Sequence, residues 1–166
     1  MSNRNGFAFW LSVLVCSLGL SAAAYAEVDK VKVDKSVRRL YVLDNNEVVK
    51  TFRIALGGEP RGAKREEGDQ KTPEGVYYLE YVNDFSQFYR SVHISYPNAQ
   101  DIQSAYQRNV SPGGNIKIHG LKNDETEPPS FVLSFDWTDG CIAMSNEDMD
   151  EFIRLVPMGT PIEIYW

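Results

Sequence analysis

Two cysteines and two histidines are all this 166-residue chain has of the residues that most often do thiol, imidazole and metal chemistry. One thiol, Cys16, lies in an apolar N-terminal stretch, so only Cys141 stands in the body of the chain. There is no Cys-x-x-Cys and no His-x-x-x-His. No metal site is therefore expected, although Cys141, His119, Asp136 and Asp139 are permissible ligand types. A Gly-x-Ser-x-Gly elbow is also missing, as are the glycine patterns of Walker and dinucleotide-binding loops, and no cofactor is expected. Basic residues are in the minority: 17 Lys and Arg against 23 Asp and Glu give a net charge of −6. They are scattered rather than gathered in a stripe, which makes nucleic acid an unsuitable partner.

What the N-terminus does have is the three-part pattern of a secretory signal. Arg4 supplies the basic start, Phe7 to Leu20 an apolar run too short to span a bilayer comfortably, and Ala24-Tyr25-Ala26 a small-x-small cleavage site. Cleavage after Ala26 is expected, leaving residues 27–166 as one domain with no membrane anchor. Val13-Leu14-Val15 before Cys16 lacks the small residue of a lipoprotein signal. Loss of Arg4 moves the net charge to −7, since 16 bases then face 23 acids. A lone thiol in an exported protein cannot form an internal disulfide and is open to oxidation, which makes Cys141 informative.

Beyond the signal the pattern is mostly that of strands. Val28 to Leu43, a polar Asp44-Asn45-Asn46 turn and Val48 to Leu56 read as a β-meander. Arg61 to Lys71 is charged and glycine-dotted and reads as a solvated connection. Thr72-Pro73-Glu74-Gly75 is a fixed turn feeding a strand to about Val82. Ser91 to Tyr96 alternates as a half-buried strand, and Asn98 with Asp101 caps a short helix ending near Asn109. Asn115 to Gly120 is a short strand, Ser130 to Phe135 an apolar run open between strand and helix, and Ile162 to Tyr165 a final strand. Ser145 with Asp148 starts a helix carrying Met149, Phe152, Ile153 and Val156 at helical spacing. The helices do not alternate one-for-one with strands, so the expectation is a mainly β fold with a few helical insertions rather than a parallel βαβ layout.

The stretch Asp136 to Asn146 concentrates the chemistry. Gly140 precedes the thiol and permits backbone geometries and close approaches that other residues resist. The helix following Cys141 could favour thiolate if its N-terminus lies close. Of the two histidines, His93 sits mid-strand and reads as packed or surface-exposed. His119, at a strand end beside Gly120, is the better base for a Cys/His pair.

Ile118-His119-Gly120 followed by Thr138-Asp139-Gly140-Cys141-Ile142 resembles the L,D-transpeptidase catalytic-domain family of bacterial cell-wall enzymes. Gly68-Asp69 through Thr72-Pro73-Glu74-Gly75 and Gly159-Thr160-Pro161-Ile162 extend the likeness over nearly all of residues 27–166. The resemblance implies a β-sandwich-like domain, a periplasmic setting and peptidoglycan stem peptides as substrate. It further implies that Cys141 forms an acyl-enzyme with His119 as base, Gly140 and Cys141 N–H groups as oxyanion donors, Gly120 as orienter of the imidazole and Thr138 as a brace. Lys117, Lys122, Trp137 and Asp139 are candidate substrate contacts, with Arg90 and Arg108 as more distant bases.

Ala143 departs from the family pattern, in which an arginine follows Gly-Cys-Ile. That departure leaves open whether the acyl group passes to an amine, as in transpeptidation, or to water, as in an L,D-carboxypeptidase or amidase. A wall-binding module without catalysis is the alternative from another class, and the pairing of His119 with Cys141 weighs against it.

Overall fold

The computed structural model describes residues 27–166, so the expected signal segment lies outside the described residues. The chain opens as a meander: β1 (Lys30–Asp34), β2 (Arg39–Asp44) and β3 (Glu47–Arg53) pair antiparallel, and the Asp44–Glu47 turn carries Asn45 and Asn46 at positive φ. Asparagine tolerates that left-handed geometry better than most residues. β4 (Gly75–Asn83), β5 (Ser91–Ile94), α1 (Ala99–Gln107) and β6 (Lys117–His119) follow. Then come α2 (Pro129–Val132), β7 (Ile142–Ala143), α3 (Asn146–Leu155) and β8 (Pro161–Tyr165).

The eight strands form one sheet in the order β3-β2-β1-β8-β4-β5-β6-β7. Most pairs are antiparallel; β1·β8 and β6·β7 are parallel. The sheet curls until its ends approach. Past β3, Ala55 bridges Ala143 of β7 with two 2.9 Å backbone hydrogen bonds, and Gly57 bridges Thr138. A mainly β, sandwich-like domain is thus built from a single curled sheet rather than two independent ones.

Alternation along the strands supplies the core. Val31 and Val33, Leu40 and Val42, Tyr77 and Leu79, and Ile162 and Ile164 turn the same way and are buried. α3 contributes Met149 and Phe152, and Phe152 meets Phe52 edge-on at 6.0 Å between ring centroids. Burying such side chains contributes about 1.5–3 kcal/mol each. Both expected caps are present: the Asn98 side chain accepts from the Gln100 and Asp101 N–H groups, and Ser145 Oγ accepts from Asp148 N–H.

The structure sharpens two expectations. The open run at Ser130–Phe135 begins as the one-turn helix α2, entered through Pro128 and Pro129, where a missing N–H costs nothing. The charged loop at 61–71 is largely exposed, as a solvated connection should be, but it is pinned from beneath. Lys64 is buried, with Nζ 2.9 Å from Asp69 and 3.1 Å from the Glu66 carbonyl, while Asp69 also accepts from the N–H groups of Arg65, Glu66 and Lys71. Asp69 is thereby held below the usual carboxylate range against the opposing effect of its burial. Lys35, 0% exposed, anchors the same region through the Gly62 and Thr72 carbonyls and Glu74, each at 2.9 Å. Its burial lowers the ammonium pKa, which Glu74 partly restores.

Candidate active site

β6 lies between β5 and β7, with His119 opposite Ser91 on one side and Ala143 on the other. Alternation along β6 turns Lys117 and His119 to one side, and both line a cavity of about 560 Å³ together with Cys141. His119 is 3% exposed, and its Nδ1 is 2.7 Å from the Gly120 carbonyl oxygen. A carbonyl only accepts, so Nδ1 carries the proton and Nε2 is left with its lone pair. Burial lowers the His119 pKa to about 4 against the opposing pull of that hydrogen bond, with Lys117 adding to the lowering. The imidazole is therefore neutral at neutral pH.

Gly120 reserves space as well as supplying its carbonyl. A Cβ there would meet Asn146 Oδ1 at 2.5 Å, and that same oxygen accepts from Leu121 N–H at 2.9 Å. The strand end carrying the histidine is in this way tied to the first residue of α3.

The segment from Asp136 to Cys141 is fixed from below. Asp136 Oδ1 accepts from Leu56 N–H, the Leu56 carbonyl accepts from both Trp137 and Thr138 N–H, and the Thr138 carbonyl accepts from Gly58 N–H. Thr138 Oγ1 donates to the Cys141 carbonyl at 2.7 Å and accepts from Gly140 N–H at 3.2 Å. Through these two bonds Thr138 ties the loop to itself. Its hydroxyl also occupies the Gly140 N–H, which was expected to face an oxyanion. No backbone acceptor takes the Cys141 N–H among the described residues.

Gly140 has φ +122° and presses on the preceding turn, where a Cβ would meet the Lys71 carbonyl oxygen at 2.6 Å. Only glycine satisfies both constraints.

Cys141 is partly buried, with its Sγ 3.8 Å from the Asn115 carbonyl oxygen. Burial pushes its pKa up, with Asp139 adding to the rise, while the Lys117 backbone and charge oppose it. β7 and Met144 separate Cys141 from the Ser145 cap along the chain, and the thiol's pKa is raised rather than lowered.

Lys117, Lys122, Trp137 and Asp139 all line the cavity. His93 does not; it is 2.7 Å from Glu80 and stacks on Tyr81. Arg90 is engaged by Asp84 and Asp150, and Arg108 by Ser104 and the Arg65 carbonyl, so neither joins the site. Ala143 is 0% exposed, packed with Ala55, Leu121, Val132 and Leu133, so its side chain faces the interior.

Sequence reasoning missed Phe88, whose ring centroid is 4.5 Å from that of His119; Trp137 meets the same imidazole edge-on at 5.7 Å. The signal available was the aromatic density of Phe85, Phe88 and Tyr89 in one short loop. Arg90 O accepts from Gly120 N–H, and Asn123 Oδ1 accepts from Tyr89 N–H, so that loop is tied to the histidine strand.

The family profile described as the L,D-transpeptidase catalytic domain, YkuD, matches residues 29–164. YafK of Escherichia coli (strain K12), provisionally named an L,D-transpeptidase, is 28% identical over 112 residues, which are 66% of this chain and 38% of YafK. Among solved structures, the helical cell shape determining protein Pgp2 (K307A mutant) of Campylobacter jejuni superposes with a TM-score of 0.62 at 26% identity, over 82% of this chain and 46% of that one. Bd1075 of Bdellovibrio bacteriovorus gives 0.58 at 22% identity, over 87% and 50%. The Enterococcus faecium L,D-transpeptidase C442S mutant gives 0.55 at 16%, over 84% and 50%. The chain spans about half the length of these solved relatives.

Proposed function

This chain belongs to the L,D-transpeptidase catalytic-domain family, and from that premise we propose that it is an exported, periplasmic cysteine acyl-transfer enzyme acting on peptidoglycan stem peptides. The observation that carries the reading is the shared cavity, which a neutral imidazole with a free Nε2 and the one thiol among the described residues both line. Nε2 of His119 takes the thiol proton as Cys141 Sγ attacks the carbonyl preceding a D-amino acid. The C–N bond breaks, the proton passes to the leaving amine, and a thioester to Cys141 remains. The Cys141 N–H is the ready donor for the developing oxyanion; the Gly140 N–H joins it only by releasing Thr138 Oγ1. Lys117 and Lys122 supply the cations that draw substrate carboxylates into an acidic protein.

The acyl group then passes to an amine or to water. Ala143 faces the interior and is not part of the cavity wall, so the choice between the two outcomes is read from the products rather than from that position. Likeness to a cell-shape determinant supports a role for either outcome in wall remodelling that shapes the cell.

The test is mass analysis of muropeptides incubated with the protein. Cross-linked dimers mark transpeptidation and shortened monomers hydrolysis, and unchanged muropeptides with folded protein would overturn the proposal. A carbapenem should add one adduct to the native protein and none to Cys141→Ala. His119→Ala should lose about 10²–10⁴ in rate, whereas His93→Ala should keep most of it.

A further inference from the structure

A second cavity, of about 490 Å³, is lined by Arg38, Arg39 and Arg53 together with Val37, Phe135 and Asp136. It lies back-to-back with the catalytic cavity: Asp136 lines the one and Trp137, the next residue, lines the other.

Its arginines are arranged against their own electrostatics. Arg39 and Arg53 are direct cross-strand partners on β2 and β3. The Ile54 N–H reaches the Arg38 carbonyl just beyond them, which makes theirs a non-hydrogen-bonded pair, the type with the closer side chains. Like charges so placed destabilise a sheet. Acids are plentiful in this chain, 23 against 17 bases, yet among the described residues no carboxylate pairs with Arg39 or Arg53. Arg39 Nη1 donates only to the Arg38 and Val37 carbonyls. Arg38 Nη2 holds Asp136 at 2.6 Å, which leaves that carboxylate committed.

We infer that the Arg38–Arg39–Arg53 cleft binds an oxyanion, a carboxylate or phosphate group, that bridges the opposed guanidinium groups of Arg39 and Arg53. Guanidinium forks match the paired oxygens of both groups. Val37 and Phe135, both exposed at the rim, fit an oxyanion carried on a partly apolar ligand. The site requires no chemistry at Cys141.

Isothermal titration with inorganic phosphate and, separately, citrate tests it, with sodium chloride holding the ionic strength constant. Saturable binding is expected for the wild type and for Cys141→Ala. Arg53→Gln should bind about tenfold or more weakly, the loss of one charge-assisted contact. Arg39→Lys should also weaken binding, because it keeps charge but loses the fork. Without added anion, Arg53→Gln should unfold at no lower temperature than the wild type, since it removes a like-charge contact. A response to phosphate alone or citrate alone identifies the ligand's source, and either supports the site. Equal titrations in wild type and both variants, or none in any, would overturn it. So would an anion-free Arg53→Gln protein that unfolds well below the wild type, because the arginine would then be structural.

Discussion

Before substrate arrives, both the sulfur and its proposed base are uncharged. Burial raises the Cys141 thiol and lowers His119 to about 4, so a thiolate–imidazolium pair does not exist at rest. The proton must move during attack. Alkylation of the free protein by iodoacetamide should accordingly rise with pH to a midpoint above the ordinary thiol value of 9.0; a midpoint below neutrality would reveal a preformed ion pair. The same burial has a consequence for stability. His119 titrates near 6.5 when unfolded and near 4 when folded, so between those values the unfolded chain binds the extra proton. The histidine's contribution is whole above pH 6.5, declines as pH falls toward 4 and is constant below. The loss is on the order of 3 kcal/mol. Chemical denaturation of the wild type and His119→Gln across pH 4–7 checks this: the two stability curves should converge as pH falls.

At the scale of elements, the turn at 57–75 is the scaffold on which Gly140 rests, and Lys35 fixes that turn from the far side. Replacing Lys35 by Met keeps most of its bulk but strands Glu74 and two carbonyl oxygens. A loss of roughly 3 kcal/mol is expected, together with a fall in turnover although Lys35 touches no part of the cavity. Denaturant melts paired with the carbapenem-adduct rate would measure both, and an unchanged adduct rate would separate the turn from the site. None of this was legible in the sequence, where Lys35 and Lys64 are two charges among many. A lysine is buried by what converges on it from distant segments, and hydropathy patterns record only neighbours. The meander, the Asn98 and Ser145 caps and the strand bearing His119 were legible because each depends on residues within a turn or an alternating run. β7 was not, since two residues, Ile142 and Ala143, make no pattern; its partners Ile118 and Ala55 define it.

At the scale of the whole molecule, Ala143 has a structural part of its own. It is the closing contact of the curled sheet, with both of its backbone polar groups bonded to Ala55. Ala143→Arg would force a long cation among Leu121, Val132 and Leu133, without room and without a partner. The expected outcome is a markedly lower unfolding temperature, not a new grip on substrate. A stable Ala143→Arg protein that forms more cross-linked product would show the strand able to turn its side chain outward.

That closure also sets a timetable. Residues 55 and 143 lie more than half the chain apart, and a contact at such separation is entropically costly to form before the intervening strands are in place. His119 and Ala143 already meet through the short-range β6·β7 pairing, but the Asp136–Thr138 segment that fixes the Cys141 loop is held by Leu56 and Gly58 and is expected to settle last. In refolding from denaturant, intrinsic fluorescence should recover before the β-lactam adduct can form. Acylation of Cys141 is thereby expected to wait for the complete fold, and the join that shuts the sheet would act as the chain's own proof of completion.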